Sequence, residues 1–449
     1  MFRYKGKTVR QVGLLGGGKS NVGVYSYLSK RHSLDFTLRV FDKNSDYSAF
    51  GGCKVLSGPD MLSDINEDVL FLSPSARRDS PKIREAFERG VILSSDAEFF
   101  FENSVADIFA VTGSDGKSTT AYLTSQLLKS SYKDTVACGN IGEAMTPHVD
   151  NAEAAFVTEL SSFQLSYLKP RSLRSVITNV TENHLDWHKS FDEYINAKKN
   201  IFDFSSERIF SADCEISKSI AKDYNVFAVF STKLDDKTLC KTTGAKLRLT
   251  LGDGGILANG TPILDTRRIR APGAHTVKNF MAAIAMSYGY CTAEDISSVA
   301  ESFCGLSHRC ELVAQIDGVD YYDSSIDSTP KRSIATLLMM TRPVVLILGG
   351  HSKGLDFGEL IPIIASKAKF IIITGECADE IEDAIASSGS ASHILRARID
   401  DFTEAVEYAK KRASCGDAVL LSPAATSYDK FKNFEERGNA FARIIKNSY

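Results

Sequence analysis

The stretch VTGSDGKSTT, Val111 to Thr120, decides how the rest of the chain is read. An apolar run, DIFAV, precedes it and a helix-like run, TAYLTSQLLKS, follows, so the order is strand, glycine-rich turn, helix N-terminus. Such a turn is a phosphate cradle. Gly113 and Gly116 let the backbone take positive φ and bring N–H groups close to an anion, and the first helical turn adds the positive end of its dipole. Lys117 supplies a point charge for the phosphates, and the hydroxyl of Ser118 or Thr119 can ligate Mg²⁺. The literal G-x-x-x-x-G-K-[ST] pattern falls elsewhere, at Gly13 to Ser20 (GLLGGGKS), whereas the turn at Gly113 has only two residues between its glycines. A Gly-Lys-Ser turn that merely caps a helix is common, so the choice of the second loop as the ATP site rests on the motifs that follow it.

At 449 residues the chain is too long for one ordinary core, and two to three domains are expected. Hydrophobic content of 43% and charged content of 24% are those of a globular protein in water. A formal net charge of -3, with only short basic runs, gives no electrostatic case for nucleic acid. MFRYKGKTVRQVGLL lacks a sustained apolar segment, so neither a signal peptide nor a membrane partner is expected, and the expected location is cytoplasmic. Nine cysteines without C-x-x-C spacing argue against a zinc site or a disulfide framework and read as small core residues.

In chain order, RQVGLLGGGKSNVGVYSYLSKR reads as strand, turn and helix, and TLRVFD as a second strand ending at Asp42. This is a Rossmann-like opening, with an acidic residue roughly where such folds meet a ribose. Its dinucleotide fingerprint is imperfect, because Asn21 stands where the last glycine counted from Gly18 is needed. VLFLSPS, PKIREAFERG and VILSS continue the alternation, with Ser73-Pro74-Ser75 as a turn at a strand end. A first boundary is placed near residue 102. TVACGNIG, AAFVTELSSFQL and SVITNVTENHLDWH are three apolar runs that each end in polar residues. In a parallel sheet such ends share one edge, so Asn140, Glu159 and His184 are expected to gather near the phosphate loop. KLRLTLGDGGILANGTPIL reads as a β-hairpin and GAHTVKNFMAAIAMSYGY as an amphipathic helix. A second boundary is placed near 306, after which RPVVLILGG, FIIITG and AVLLSPA alternate with helices as a second doubly wound sheet. The expected architecture is therefore α/β with three domains: a Rossmann-like domain at 1–102, a central P-loop ATPase α/β domain at 103–306, and a C-terminal doubly wound domain at 307–449.

TGSDGKSTT resembles the ATP loop of the Mur ligase and folylpolyglutamate synthetase superfamily. ELSSFQL, NVTENHLDWH, GLSHR, LGGHSKGLDF and LSPAATSYDKFKNFEERG follow in the order and approximate spacing of its D-glutamate-adding Mur ligases, over nearly the whole chain. The resemblance implies an enzyme of peptidoglycan synthesis that joins UDP-N-acetylmuramoyl-L-alanine to D-glutamate. In such an enzyme ATP phosphorylates the substrate carboxylate and the amine attacks the acyl phosphate. It implies a UDP-binding N-terminal domain, a central ATPase domain, a C-terminal domain that brings the amino acid, two Mg²⁺ sites and a monomer.

Carried over by motif, Gly113, Gly116, Lys117, Ser118 and Thr119 hold ATP, and Ser118 with Glu159 holds the first Mg²⁺. His184 ligates the second Mg²⁺ together with Lys198, which the resemblance makes a carbamate. Lys198 and Lys199 are adjacent, and on a helix only one of them can face the metal. Lys117, Lys198 and His184 are thus the implied catalytic set. Asn279, in HTVKN, matches an adenine contact, although Thr276 replaces an Asn common nearby; Arg309, in GLSHR, matches an interdomain arginine that reaches the nucleotide. Ser20, Asp42 and Ser73 fall at or beside UDP contacts and Asn140 at a muramoyl contact. Lys353, Ser427 and Phe434 match the amino-acid pocket. The chain departs from the family at DSSIDS, Asp323 to Ser328, where many members read NDSKAT. Ser324 and Ile326 then stand for the ribose-contacting Asp and the Lys. Either Asp323 takes over from one residue earlier or the contact is absent, and Ser328 can replace the family's Thr.

The blander readings are solvated lysines, a packed histidine, a surface salt bridge for Arg309, and turn or core residues for Ser427 and Phe434. Rival functions are a sister Mur ligase or a folylpolyglutamate-synthetase-like ligase and, in another class, an NAD-dependent oxidoreductase using the N-terminal glycines, which would need no ATP. A catalytically silent nucleotide sensor is disfavoured because Lys117, Glu159, His184 and the acceptor motifs are all present.

Overall fold

The computed structural model describes residues 2–32, 36–43, 48–51, 53–58, 60–351, 354–389 and 394–447. The chain forms two compact units, residues 1–266 with 278–299 and residues 267–277 with 300–449. Among the described residues no helix is long and apolar enough to cross a membrane.

The first unit holds two sheets of parallel character. Near the N-terminus the strand order is Lys54–Leu56, Thr37–Phe41, Gln11–Leu15, Val69–Leu72, Ile92–Ser94, all parallel. The central strands carry runs such as VLFL, buried at every position, as a sheet covered on both faces requires. Sequence order reverses between Gln11–Leu15 and Val69–Leu72, which makes their C-terminal ends a topological switch point. Helix Asp96–Asn103 follows, capped by Ser95, whose side chain accepts from Glu98 N–H. Its Asp96 is buried and takes the backbone N–H groups of Met145 and Thr146 and the Thr146 hydroxyl at 2.6–3.1 Å. This carboxylate, which sequence reading passed over, ties the helix to the turn Thr146–His148.

In the larger sheet, strand Asp107–Thr112 lies between Ala155–Glu159 and Arg171–Ile177, with Thr135–Gly139 beyond Ala155–Glu159. These strands are parallel, and Gly139, Glu159 and Val111 stand opposite one another at their C-terminal ends. The sheet continues through Phe204–Ser211, Ala228–Ser231 and Leu247–Gly252, then turns antiparallel through Gly255–Ala258 and Thr261–Leu264. The expected hairpin is thus the margin of the same sheet. Helix Ala274–Ser287 differs from its reading as amphipathic, since Phe280 to Ser287 are all buried. Small residues such as Ala282, Ala283 and Ala285 fill the positions where a polar face would lie, which lets this C-terminal part of the helix be enclosed, while Ala274 and His275 at its start are exposed.

The second unit has strand order Glu311–Ile316, Val319–Asp323, Ala418–Leu421, Val344–Gly349, Ala368–Thr374, Leu395–Arg398. Only the first pair is antiparallel. VVLILG is buried throughout and forms the middle of this sheet.

Candidate active site

The phosphate loop connects strand Asp107–Thr112 to helix Lys117–Leu128. Gly116 occupies the helix N-cap with φ +76°, and a Cβ there would meet Asn279 Oδ1 at 2.3 Å, so this position needs glycine for backbone angle and for space. The loop is laced to the segment after strand Arg171–Ile177. Ser114 N–H donates to Asn179 O and Asp115 N–H to Asn179 Oδ1, both at 2.9 Å, while the Ser114 hydroxyl donates to Thr181 O at 2.9 Å. Tertiary contacts therefore hold the loop's shape. Lys117 Nζ lies on its own loop, donating to Gly113 O at 2.9 Å and Ser114 O at 2.8 Å. Ser118 and Thr119 follow in the first helical turn, both half-buried.

Glu159 ends its strand beside this loop. It is 1% exposed; Oε1 accepts from Asn140 Nδ2 at 2.7 Å, and Oε2 is buried without a hydrogen-bond partner. A buried carboxylate oxygen left unpartnered is costly in a folded chain, and a bound cation would satisfy it. Carboxylate and hydroxyl oxygens are what Mg²⁺ prefers, so the donor set of Glu159 and the helix-start hydroxyls fits that ion.

Lys198, on helix Phe191–Lys199, is 1% exposed, with Nζ 2.6 Å from Gly113 O and 4.6 Å from the centroid of the Tyr194 ring. Burial, reinforced by the nearby Lys117 cation, pushes its amine well below the usual lysine range. Lys199 instead points outward to Asp223 at 2.6 Å. His184 sits at φ +56° in an exposed turn, its ring 4.9 Å from Phe163. Desolvation, with the charges of Lys117 and Lys198, holds its imidazole below the ordinary value, against the opposite pull of Asp186. Neutral imidazole is the form that ligates metal. Asn279 lies across Gly116 and, with Thr178, Asn179, Asp213, Phe230 and Lys278, lines a pocket of about 80 Å³.

At the N-terminal switch point Gly16, φ +93°, packs against Ser73, where a Cβ would approach the Ser73 side chain to 2.8 Å. Asp42 accepts from Gly17 N–H at 2.6 Å, and Ser20 is in the first turn of helix Lys19–His32. The literal Gly-Lys-Ser loop therefore faces this crevice. Its Lys19 Nζ donates to Gly142 O at 2.5 Å, just beyond Asn140. Partial desolvation lowers the Lys19 pKa, opposed by Asp96, Cys138, Glu159 and Glu143. The motif could not disclose that reach.

In the second unit Asp323 is fully buried: Oδ2 accepts from His308 Nδ1 at 2.7 Å and Oδ1 from Ser325 N–H at 2.8 Å. Arg309 is exposed on the adjoining turn, its N–H donating to Leu306 O at 2.9 Å. Phe434 begins helix Phe434–Lys446, its carbonyl accepting from Ser325 Oγ at 2.8 Å and its ring meeting His308 edge-on at 6.1 Å. Ser427 is buried, and Ser328 is half-buried with its N–H on Ile326 O at 2.7 Å. Lys353 lies outside the described residues. Sequence reading missed Arg437, which is buried and donates to the Ser325 hydroxyl and to the carbonyls of Ser325, Ala425 and Thr426 at 2.9–3.1 Å. It fastens the DSS turn to the segment before Ser427. Burial lowers its pKa to about 10. The glycine that follows it has no room for a side chain: a Cβ on Gly438 would meet His308 Nδ1 at 2.1 Å and Asp323 Oδ2 at 2.4 Å.

The family model described as Mur ligase middle domain matches residues 111–287, and that described as Mur ligase, glutamate ligase domain matches residues 308–425. A UDP-N-acetylmuramoylalanine–D-glutamate ligase of Ruminiclostridium cellulolyticum is 36% identical, over 98% of this chain and 97% of its own. The protein of the same name from Acetivibrio thermocellus is 38% identical over 99% and 97%. In fold, the chain is similar to the UDP-N-acetylmuramate–alanine ligase of Thermotoga maritima, with a TM-score of 0.61 at 17% identity over 98% of this chain and 100% of that one. A pseudomurein peptide ligase type C from Methanothermus fervidus gives 0.54 at 16% identity, with the same coverage. With a phosphate loop, a buried strand-end glutamate and relatives of this identity along nearly its whole length, the chain belongs to the Mur ligase family, among the UDP-N-acetylmuramoylalanine–D-glutamate ligases.

Proposed function

We propose that this protein couples ATP hydrolysis to ADP and phosphate with formation of the amide between UDP-N-acetylmuramoyl-L-alanine and D-glutamate, a step of peptidoglycan precursor synthesis. The observation that carries the reading is the unpartnered Oε2 of buried Glu159 at the mouth of the phosphate loop, in a chain whose relatives bear that name. Functional division at residues 1–102, 103–306 and 307–449, and action as a cytoplasmic monomer, belong to the same proposal.

A carboxylate is a poor electrophile with a poor leaving group, and phosphorylation cures both. In the reaction the substrate carboxylate oxygen forms a bond to the γ-phosphorus while the bond to the β-bridging oxygen breaks toward ADP. The glutamate amine then bonds to the acyl carbon, phosphate leaves with its electron pair, and nitrogen loses a proton. The loop N–H groups and the start of helix Lys117–Leu128 hold the phosphates, and Lys117 exchanges its two carbonyl partners for phosphate oxygens. Asn279, placed against Gly116, contacts the base. Ser20, Asp42 and Ser73 receive the UDP portion, and Asn140 holds the muramoyl end while orienting Glu159. Arg309 approaches the nucleotide, while Lys353, Ser427, Ser328 and Phe434 receive glutamate. Asp323, with both oxygens held inside the fold, acts through the turn it shapes.

Ser118 with Glu159, and His184 with Lys198, would hold two Mg²⁺ ions, which supply positive charge against the phosphate oxygens. For Lys198 the ligand is its carbamate. The neutral amine that burial favours adds CO₂: an N–C bond forms, one C=O electron pair moves to oxygen, and a proton leaves nitrogen. The test is phosphate release with ATP, Mg²⁺ and UDP-N-acetylmuramoyl-L-alanine, offering several amino acids singly. Release should require D-glutamate, and equal turnover with another amino acid would reassign the acceptor.

A further inference from the structure

Two turns that carry residues for different substrates are fastened together by side chains that take no part in the chemistry. One runs from Ser73 to Asp79 and the other from His184 to Lys189. The Trp187 indole N–H donates to Ser75 O at 3.0 Å. The Arg77 guanidinium lies 4.9 Å from the Trp187 ring centroid and donates to the Trp187 carbonyl. The same guanidinium grips Asp79 with two bonds of 2.8 and 2.9 Å, and Asp79 also takes Lys189 at 3.0 Å. Beside them, Arg78 N–H donates to the Tyr167 hydroxyl at 3.2 Å and its guanidinium covers the Tyr167 ring at 4.7 Å.

The chain of contact continues inward. Trp187 packs on Phe163 with centroids 4.7 Å apart, and Phe163 meets His184 at 4.9 Å. In the other direction Ser73 is two residues from Ser75, its N–H on Leu15 O at 2.9 Å and its side chain against Gly16. The ion pairs are partly exposed and each is worth little alone. The bidentate fork nevertheless holds the Arg77 guanidinium in one plane on its own turn, and its stacking and carbonyl bond on Trp187, together with the indole N–H on Ser75 O, fix one relative placement of the turns. A shift of the Ser73 turn therefore moves Trp187, and with it Phe163 and His184.

We propose that this clasp couples the two substrate sites. Occupancy of the crevice at Ser73 and occupancy of the phosphate loop raise each other's affinity through Arg77 and Trp187, which act as positioning residues. The inference rests on the ligase reading above, since it takes those sites to hold the UDP substrate and the nucleotide. Coupling between two equilibria is reciprocal, and commonly amounts to about fivefold or more in affinity.

The experiment is calorimetric titration of the full chain with ADP and Mg²⁺, with and without saturating UDP-N-acetylmuramoyl-L-alanine, and the reverse pair of titrations. Wild type should show the same enhancement, about fivefold or more, in both directions. In Arg77→Ala the enhancement should fall below about twofold while each ligand's affinity alone stays within about twofold of wild type. Arg77→Lys keeps the charge facing Asp79 but not the fork, and should recover part of it. A merely structural role would lower melting temperature or both separate affinities without abolishing the reciprocal ratio. Should Arg77→Ala fail to fold, Asp79→Asn at the surface releases both Arg77 and Lys189 and must lower the ratio too. Undiminished coupling in the folded variant, or no positive coupling in wild type, overturns the clasp. Failure of wild type to bind either ligand overturns the ligase reading instead.

Discussion

Replacing Lys198 by methionine should separate activity from stability. The side chain is enclosed, so a methionine of similar length keeps most of its apolar contact. Alanine would instead remove the three methylenes beyond Cβ, at about 0.8 kcal/mol each, or roughly 2.4 kcal/mol of lost burial. Against this stands the cost of an enclosed amine whose short hydrogen bond goes to Gly113 O, an acceptor shared with Lys117, and whose other acceptor, Thr112 Oγ1, is 3.5 Å away. Burial disfavours the cation and leaves an enclosed amine, whose replacement by a well-packed apolar group of similar size is close to neutral or stabilising. Lys198→Met should therefore melt no lower than wild type, and Gly113 O keeps the Lys117 bond. Its phosphate-release rate should fall at least about a hundredfold, as expected when a charged group directed at the phosphoryl transfer is lost. Lys199→Ala, which gives up only an outward pair with Asp223, is the matched control and should retain nearly full rate. Thermal melting and coupled phosphate release on the three proteins suffice, with a parallel wild-type assay stripped of CO₂ and bicarbonate, where the rate should drop and recover on adding bicarbonate. A fully active Lys198→Met enzyme would refute the carbamate as a required ligand. A strongly destabilised one would refute the claim that the amine is held at a cost.

Lys117→Ala should abolish ATP turnover, whereas Lys19→Ala should chiefly raise KM for the UDP substrate, by about tenfold, as loss of uniform binding does; the inverse result would exchange the two Gly-Lys-Ser loops. Lys353→Ala should raise KM for glutamate far more than KM for ATP, and equal effects would remove Lys353 from the pocket. The hydrogen bond that His308 donates to Asp323 raises the His308 pKa, so its stabilising contribution is fully present below about pH 6.5 and is lost as pH climbs through the raised native value. The melting-temperature advantage of wild type over His308→Gln should accordingly shrink from about pH 6 to about pH 9, and a constant difference would mean that this histidine does not titrate in the fold.

Much of the central site was legible because its parts are local or lie at strand ends. Gly113 and Gly116 announce a turn that only glycine fits, and the alternation of apolar runs with polar ends places Asn140 beside Glu159, as their 2.7 Å hydrogen bond confirms. Helical geometry allowed at most one of Lys198 and Lys199 to face the metal; that either does, and which one, depended on the resemblance, since no local pattern encodes the burial of Lys198 against Gly113. Contacts between distant segments left no trace in the sequence. Arg77 and Trp187 are 110 residues apart, and each alone reads as an ordinary surface cation or core aromatic. Arg437 was hidden inside an acidic and basic run, EERG, that resembles a solvated helix face. The DSSIDS departure left open whether Asp323 replaces the missing partner of the ribose; in the fold it is fully buried, with Oδ2 accepting from His308 and Oδ1 from Ser325 N–H.

Trp187 is the single tryptophan of the chain, among 16 tyrosines and 26 phenylalanines. Selective excitation of its indole therefore reads one place, where the ring is flanked by the Arg77 cation and the Phe163 and His188 rings. Emission colour and quenching there depend on the charge above the ring and on its access to water, both of which change if the turns separate. The native protein thus carries its own optical gauge at this junction, usable in stopped flow without a label and silent to motions that leave the indole's surroundings intact.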